Sequence, residues 1–223
     1  MNLKELKKLI SNCLNLQNTN EEQTIMRKVH FLPWVGKNYL KGIDGRKVMA
    51  LGESHYCGRP EDDTTEITND VILCYLDSAN EFEGWMNTYT KFIKALSGEE
   101  ISRESSALWW NKILFYNYVQ VPMSGPRVAP IAQEFRNSDD AFFEVLEQFQ
   151  PDCIIAWGKR LYDNLPHLGT AGEDVIAPDG AAIETWNYTL RTGHIVQVLP
   201  ITHPSAGFAT DYWGQIIQTF IKR

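Results

Sequence analysis

Four short apolar runs, Lys47–Leu51 (KVMAL), Ile113–Val119 (ILFYNYV), Asp152–Trp157 (DCIIAW) and His194–Ile201 (HIVQVLPI), are separated by long amphipathic segments. Near-continuous apolar character at strand length suits strands buried on both faces, and long connections suit helices that cross back over a sheet. The chain is therefore expected to adopt an α/β fold: a three-layer α/β/α sandwich on a central, mostly parallel four-stranded sheet. A further strand over Glu184–Leu190 is expected to pair with the last run through the turn Arg191-Thr192-Gly193.

Helical periodicity is clearest in three sets. These are Trp85, Tyr89, Phe92, Ile93 and Leu96; Phe142, Val145, Leu146 and Phe149; and Trp213, Ile216, Ile217, Phe220 and Ile221. Each set falls on one helix face, so the aromatic stripes are assigned to the core. A short helix after Gly158 is expected to stop near Pro166, because proline cannot continue one. Residues 167–183, rich in Gly, Ala and Asp, read as a surface connection. Residues 1–43 read as a helical lead-in to an α/β core over 44–223, the whole making one domain.

Composition narrows the class. With 223 residues, 43% hydrophobic and 22% charged, the chain has the balance of a globular domain. No run approaches the ~20 apolar residues of a membrane helix, and MNLKELKKLISNCLNL is amphipathic rather than signal-like. A soluble, cytoplasmic protein is expected. Cys13, Cys57, Cys74 and Cys153 contain no CxxC pair, and the five His form neither HxxxH nor HExxH. No metal is implied. The net charge of −7 argues against nucleic acid as a partner, but it is unevenly spread. Arg27, Lys28, Lys37, Lys41, Arg46 and Lys47 face only Asp44 in their stretch, whereas residues 61–106 hold eleven acids. Charge alone leaves the partner open.

In open parallel sheets, ligands gather beyond the carboxyl ends of the strands. Four segments fall there: Gly52-Glu53-Ser54-His55-Tyr56, Asn117-Tyr118, Gly158-Lys159-Arg160 and His203-Pro204-Ser205. An Asn side chain offers both a donor and an acceptor, a His a donor, and a Glu a negative charge. Singly these are ordinary loop residues, and in this order they are far less ordinary.

The ordered set LGESHY (51–56), LFYN (114–117) and THPSAG (202–207) resembles the uracil-DNA glycosylase superfamily. That superfamily places a Gly-led motif after its first core strand, an Asn at the end of the second and His-Pro-Ser after the last. Pro122, Arg127 and Pro130 echo a stretch of its iron–sulfur branch, and PDCIIAWG (151–158) is similar to its third strand. The resemblance spans roughly 47–221. It implies a uracil-DNA-glycosylase-like fold and a monofunctional DNA glycosylase, a monomer without cofactor or metal. Such an enzyme flips a uracil or modified pyrimidine out of DNA and hydrolyses its N-glycosidic bond, leaving an abasic site, in repair or phage defence. Glucosylated hydroxymethylcytosine is a further candidate substrate, since glucosylated cytosine excision is known among phage-defence members. The acid- and aromatic-rich stretch 61–110 would then shape a wider pocket.

The resemblance also implies roles. Asn117 reads the base edge, His203 donates toward the leaving base, and Glu53 positions or activates water. Ser54 stands where the best-known branch has an Asp and cannot supply its charge, and His55 replaces the motif's usual Pro. Tyr56 corresponds to a pocket-wall residue, and His55 joins it in the base-binding set. Ser205, Lys159, Arg160 and Arg127 are candidate DNA contacts, and Phe208 a candidate wedge. The cysteines do not supply the iron–sulfur ligand spacing, and no motif lysine suggests a Schiff base, so strand cleavage is not expected.

Two other classes remain open. Gly52-Glu53-Ser54 also resembles the Gly-Asp-Ser block of esterase-like hydrolases, with Ser54 as nucleophile and His203 as base. Against this, Pro200 occupies the place of the required acid, and the G-x-S-x-G elbow fails at Tyr56. The third class is a non-catalytic nucleic-acid or nucleotide-binding module that keeps the pocket.

Overall fold

The computed structural model describes residues 26–125 and 127–223. Its centre is a parallel sheet of four strands: β2 (Val48–Gly52), β3 (Ile113–Asn117), β4 (Cys153–Trp157) and β9 (Ile195–Ile201). β2 pairs with β3 on one side and β4 on the other, and β4 pairs with β9, all parallel. Antiparallel strands extend this core to seven. β1 (Trp34–Val35) lies beside β3, and β8 (Trp186–Thr189) beside β9, with β5 (Thr170–Ala171) outermost. The expected four-stranded sheet is thus the parallel centre of a larger one.

Alternation along the strands divides the core in two. Val48, Ala50, Ile113, Phe115, Ile155 and Leu199 face one layer, packed by α2 (Met86–Ser97), α3 (Arg103–Trp110) and α6 (Thr210–Ile221). Met49, Leu51, Leu114, Tyr116, Ile154 and Val198 face the other, packed by α4 (Ala132–Phe149) and Leu161 of the short α5 (Lys159–Asp163). Every residue of β2, β3 and β4 is buried. Helices on both faces leave no polar side, which is why these strands read as unbroken apolar runs.

Several expectations change. Residues 1–25 of the helical lead-in lie outside the described residues. Residues 26–43 are not helical; they form bends, β1 and a turn in which Tyr39 and Gly42 N–H groups bond back to Gly36 and Asn38. Pro33 and Gly36 interrupt any helical pattern there. Residues 167–183 are more than a connection. They carry β5 and a separate ribbon of β6 (Val175–Ile176) and β7 (Ala182–Ile183), with Val175 fully buried. A helix over Ile67–Leu76, α1, precedes α2.

The chain order across the parallel centre, β3-β2-β4-β9, reverses direction at β2. The chain leaves β2 toward β3 on one side and leaves β4 toward β9 on the other, opening a crevice between the carboxyl ends of β2 and β4, the place where α/β sheets hold ligands. Residues 37–47 of the basic stretch lie at the opposite end, while Arg27 and Lys28 bond to Glu144 and Asp140 on α4. Asn38 N–H donates to Asn111 ahead of β3, and the Arg46 guanidinium donates to Asp152 O ahead of β4 and to Gln197 Oε1. Its charges therefore do not line the crevice.

Candidate active site

The loop after β2 is stitched to the chain leaving β3. Tyr118 and Val119 N–H groups donate to the carbonyls of Gly52 and Glu53, at 3.0 and 2.8 Å. Farther out, Met123 N–H donates to His55 O and Cys57 N–H to Met123 O. β3 ends two residues earlier than its apolar run because from Tyr118 onward the backbone bonds to this loop. Gln120 tightens the junction: its Oε1 accepts from His30 and Phe31 N–H, and its Nε2 donates to Asn117 O.

Gly52 and Asn117 are register partners at the last rung of β2 and β3. A methyl group on Gly52 would sit 2.1 Å from Asn117 Oδ1, so only glycine leaves room for the carboxamide. Asn117 is 5% exposed and His55 6%. The amide Nδ2 lies 2.9 Å from His55 Nε2 and 3.2 Å from Nδ1, and Thr68 Oγ1 on α1 lies 2.9 Å from the same Nε2. Phe31 packs edge-on to the imidazole. Burial pushes the His55 pKa down to about 3, so the ring stays neutral.

Above this floor stands a polar wall. Glu53, 13% exposed at its side chain, is held by both faces of the Arg160 fork, Nε to Oε2 at 2.7 Å and Nη2 to Oε1 at 2.5 Å. This contact raises the Arg160 pKa further. Arg160 belongs to α5, which starts immediately after Gly158. That glycine has φ of +101°, a conformation that turns the chain off β4 and that a side chain would strain. Lys159 pairs with Asp163 at 2.8 Å in solvent.

His203 follows β9. Ser205 N–H donates to its Nδ1 at 3.1 Å, and Ser205 Oγ lies 2.8 Å from the same atom. With Nδ1 accepting, the proton of the neutral ring sits on Nε2, which has no hydrogen-bond partner among the described residues. Burial lowers the His203 pKa, with Glu53 raising it and Arg160 lowering it. The first and last motifs, some 150 positions apart in sequence, therefore share one electrostatic site.

The two motif loops, Asn117 and Arg160 open into one cleft of about 1580 Å³, larger than a free base needs. Glu53, Ser54, His55, Tyr56 and Asn117 line it, as do Lys159, Arg160, His203, Ser205 and Arg127. Tyr56 stands at the rim, 52% exposed. Ser54 has no hydrogen bond to His203 among the described residues; the serine that reaches this imidazole is Ser205. Phe208 must be corrected. It is 8% exposed, belongs to the core under the sheet and stacks on Trp213 with the rings 8° from parallel. A side chain already packed this way does not project as a wedge.

The stretch 61–110, expected to widen the pocket, supplies part of an aromatic wall. Trp85 and Tyr89, assigned to the core, also line the cleft with Trp157 and Trp213. Tyr89 contacts the rings of Trp85, Phe115 and Trp157 at 5.6–6.0 Å, and burial raises its hydroxyl pKa. Tyr and Trp inside an otherwise apolar stripe were the available signal, since their polar tips favour a boundary over a dry core. Thr68 carried no signal at all. Glu61, Asp62 and Asp70 of the acid-rich stretch line the cleft as well. Among the described residues no group of three His, Cys, Asp or Glu could hold a metal, and no helix is long and apolar enough to cross a membrane. No family of known proteins matches the chain, and no curated protein matches it either.

Proposed function

We propose that this protein is a monofunctional DNA glycosylase that hydrolyses the N-glycosidic bond of a uracil or modified pyrimidine flipped into the cleft. The observation that carries this reading is His203, whose Nδ1 is occupied by Ser205 and whose Nε2–H is left to donate within the same cleft as Glu53 and Asn117. A flipped base needs such fixed polar groups along its edge, and a departing base needs a donor where its negative charge builds.

In this mechanism Asn117 reads the base. The C1′–N bond breaks with its electron pair leaving on the base, and the neutral His203 Nε2–H donates to the base oxygen as that charge grows. Glu53, anchored by Arg160, faces the positive sugar and orients a water molecule. The water oxygen bonds to C1′, a proton passes to Glu53 and on to solvent, and the released base takes up a proton. Serine at position 54 makes Glu53 the anion of this loop. Arg127, Lys159 and Ser205 at the rim contact flanking phosphates, giving salt-sensitive affinity. Resemblance to the uracil-DNA glycosylase superfamily, β3-β2-β4-β9 order and motif placement at the strand ends all support this reading.

The cleft volume and the acids and aromatics of residues 61–89 favour an enlarged substrate, such as a pyrimidine bearing a sugar. Carboxylates accept from hydroxyls, and aromatic faces pack on their carbon-bound hydrogens. The test is alkali-sensitive strand breakage on DNAs carrying uracil, hypoxanthine, 5-hydroxymethylcytosine or its glucosylated form, single- and double-stranded. Product that both Glu53→Ala and Asn117→Ala abolish supports a glycosylase, and no product from any base rejects it. Equal activity on uracil and on the bulky modified bases rejects the enlarged pocket.

A further inference from the structure

We infer that Trp213 is a stacking platform for an unpaired base next to the flipped nucleotide, so that the cleft takes single-stranded DNA in preference to duplex. This inference rests on the proposed glycosylase reading and names the form of its substrate.

Trp213 lies in the first turn of α6, the helix that follows the His203 loop, and its indole lines the same cleft as His203 and Ser205. Phe208 packs along one face of that indole, 8° from parallel, and is not among the described residues that line the cleft. What the cleft receives is therefore the part of the ring that Phe208 leaves uncovered. The platform is also held from behind. Gly214 lets α6 approach α2 so closely that a methyl group there would stand 3.2 Å from Ala95 O. The neighbouring Tyr212 hydroxyl donates to the Asp179 carboxylate at 3.3 Å, in the turn between β6 and β7. Past the end of α6, the Arg223 guanidinium donates to Glu173 O and Asp174 O, ahead of β6. The ribbon is thus tied to α6 at two places, and its Ile183 lines the cleft too. An aromatic face fixed in this way loses little freedom when a flat ring settles on it.

Charge directs the same choice. Of the cations that line the cleft, Arg160 is committed to Glu53 and Lys159 to Asp163. Asp70 and Glu184 line it as well, with Glu61 and Asp62 beside Arg59. With so many carboxylates and a net charge of −7, phosphate contacts supply little of the affinity. Duplex DNA brings two rows of phosphates, and its bases are already stacked on one another, so an indole face gains nothing from them. A single strand brings half that charge, and its unpaired bases have free π faces to stack on an aromatic ring. The cleft has room for a neighbouring base beside the flipped one.

The experiment needs no knowledge of the target base. Full-length protein is titrated by anisotropy into single strands whose central residue is a tetrahydrofuran abasic analogue. Its neighbours are deoxyadenosines in one strand and further tetrahydrofuran residues in the other. The first strand should bind at least ~5-fold tighter than the second, and than its own duplex, the order of one base stacked on an aromatic ring. In Trp213→Leu, with folding checked by urea midpoints, the advantage of the flanking bases should fall to within about twofold, and Trp213→Phe should keep most of it. A flanking 5-iodo-2′-deoxyuridine, irradiated in the wild-type complex, should crosslink to Trp213. Equal binding of the two strands, or a duplex bound as tightly as the single strand, overturns the inference whether or not the variants fold. Crosslinks only elsewhere, or an unchanged advantage in folded Trp213→Leu, overturn it as well. Base release from matched deoxy strands tests the glycosylase reading separately. Release without a flanking-base advantage leaves that reading standing and removes this one, whereas the advantage without release supports single-strand binding by a non-catalytic module.

Discussion

The floor and the wall of the cleft are built from the same strand ends by different forces. Gly52, Asn117, His55 and Thr68 are buried or lack a side chain, and their geometry follows from strand register, a missing Cβ and hydrogen bonds closed to water. Glu53, Arg160, Lys159 and Ser205 are set by ion pairs and short contacts within reach of solvent. In the floor, a change is felt as packing and desolvation, so binding and stability move together. In the wall, solvent screens what is lost, and function can change while the fold stays put.

Glu53→Gln gives the sharpest separation of the two. It should cut base release by about 10²–10³-fold, the scale of a lost acid–base or charge-stabilising group, while urea midpoints hold within about 1 kcal/mol. Loss of fold together with activity would erase the distinction. Gly52→Ala acts from the floor. Its methyl meets Asn117 Oδ1 at 2.1 Å, and overpacking of this kind costs about 1–3 kcal/mol, read as a lower unfolding midpoint with base recognition lost alongside. An unshifted midpoint would mean that the floor yields as easily as the wall.

Proton linkage should also single out the floor. His55 resists protonation when folded, with a pKa near 3 against 6.5 for the free ring, so the unfolded chain binds the extra proton between those values. Stability is then complete above pH 6.5 and falls as pH drops toward 3, by up to about 1.4 kcal/mol per pH unit. Chemical denaturation across that window should show the slope, and His55→Ala should flatten it. The smallest effect belongs to Lys159→Ala. Its side chain is 77% exposed and screened by solvent, so the unfolding midpoint should not move measurably. DNA affinity should weaken a few-fold, with a shallower salt dependence in anisotropy titrations.

Strand ends show how far the sequence reaches. The runs at 47–51, 113–119, 152–157 and 194–201 correspond to β2, β3, β4 and β9 within a few residues, and the three apolar stripes to α2, α4 and α6. Motif residues Glu53, Asn117, Arg160 and His203 could be named because each follows an apolar run, and the topology brings them to one crevice. Phe208 could not be placed, since an aromatic after a strand reads the same whether it ends in a loop or stacks on Trp213. The segments 26–43 and 167–183 were misjudged because short strands of two residues carry no periodicity to detect.

What the sequence determined by itself is the layered α/β arrangement. Strand and helix periods are local properties of the backbone, and a run buried on both faces declares itself in a few residues. Only the tertiary structure decided the partners. The Glu53–Arg160 fork joins residues 107 positions apart, and the His55–Asn117 contact spans 62. Such pairs depend on strand register, on where α1 and α5 dock and on the space left by Gly52, none of which leaves a period in the chain.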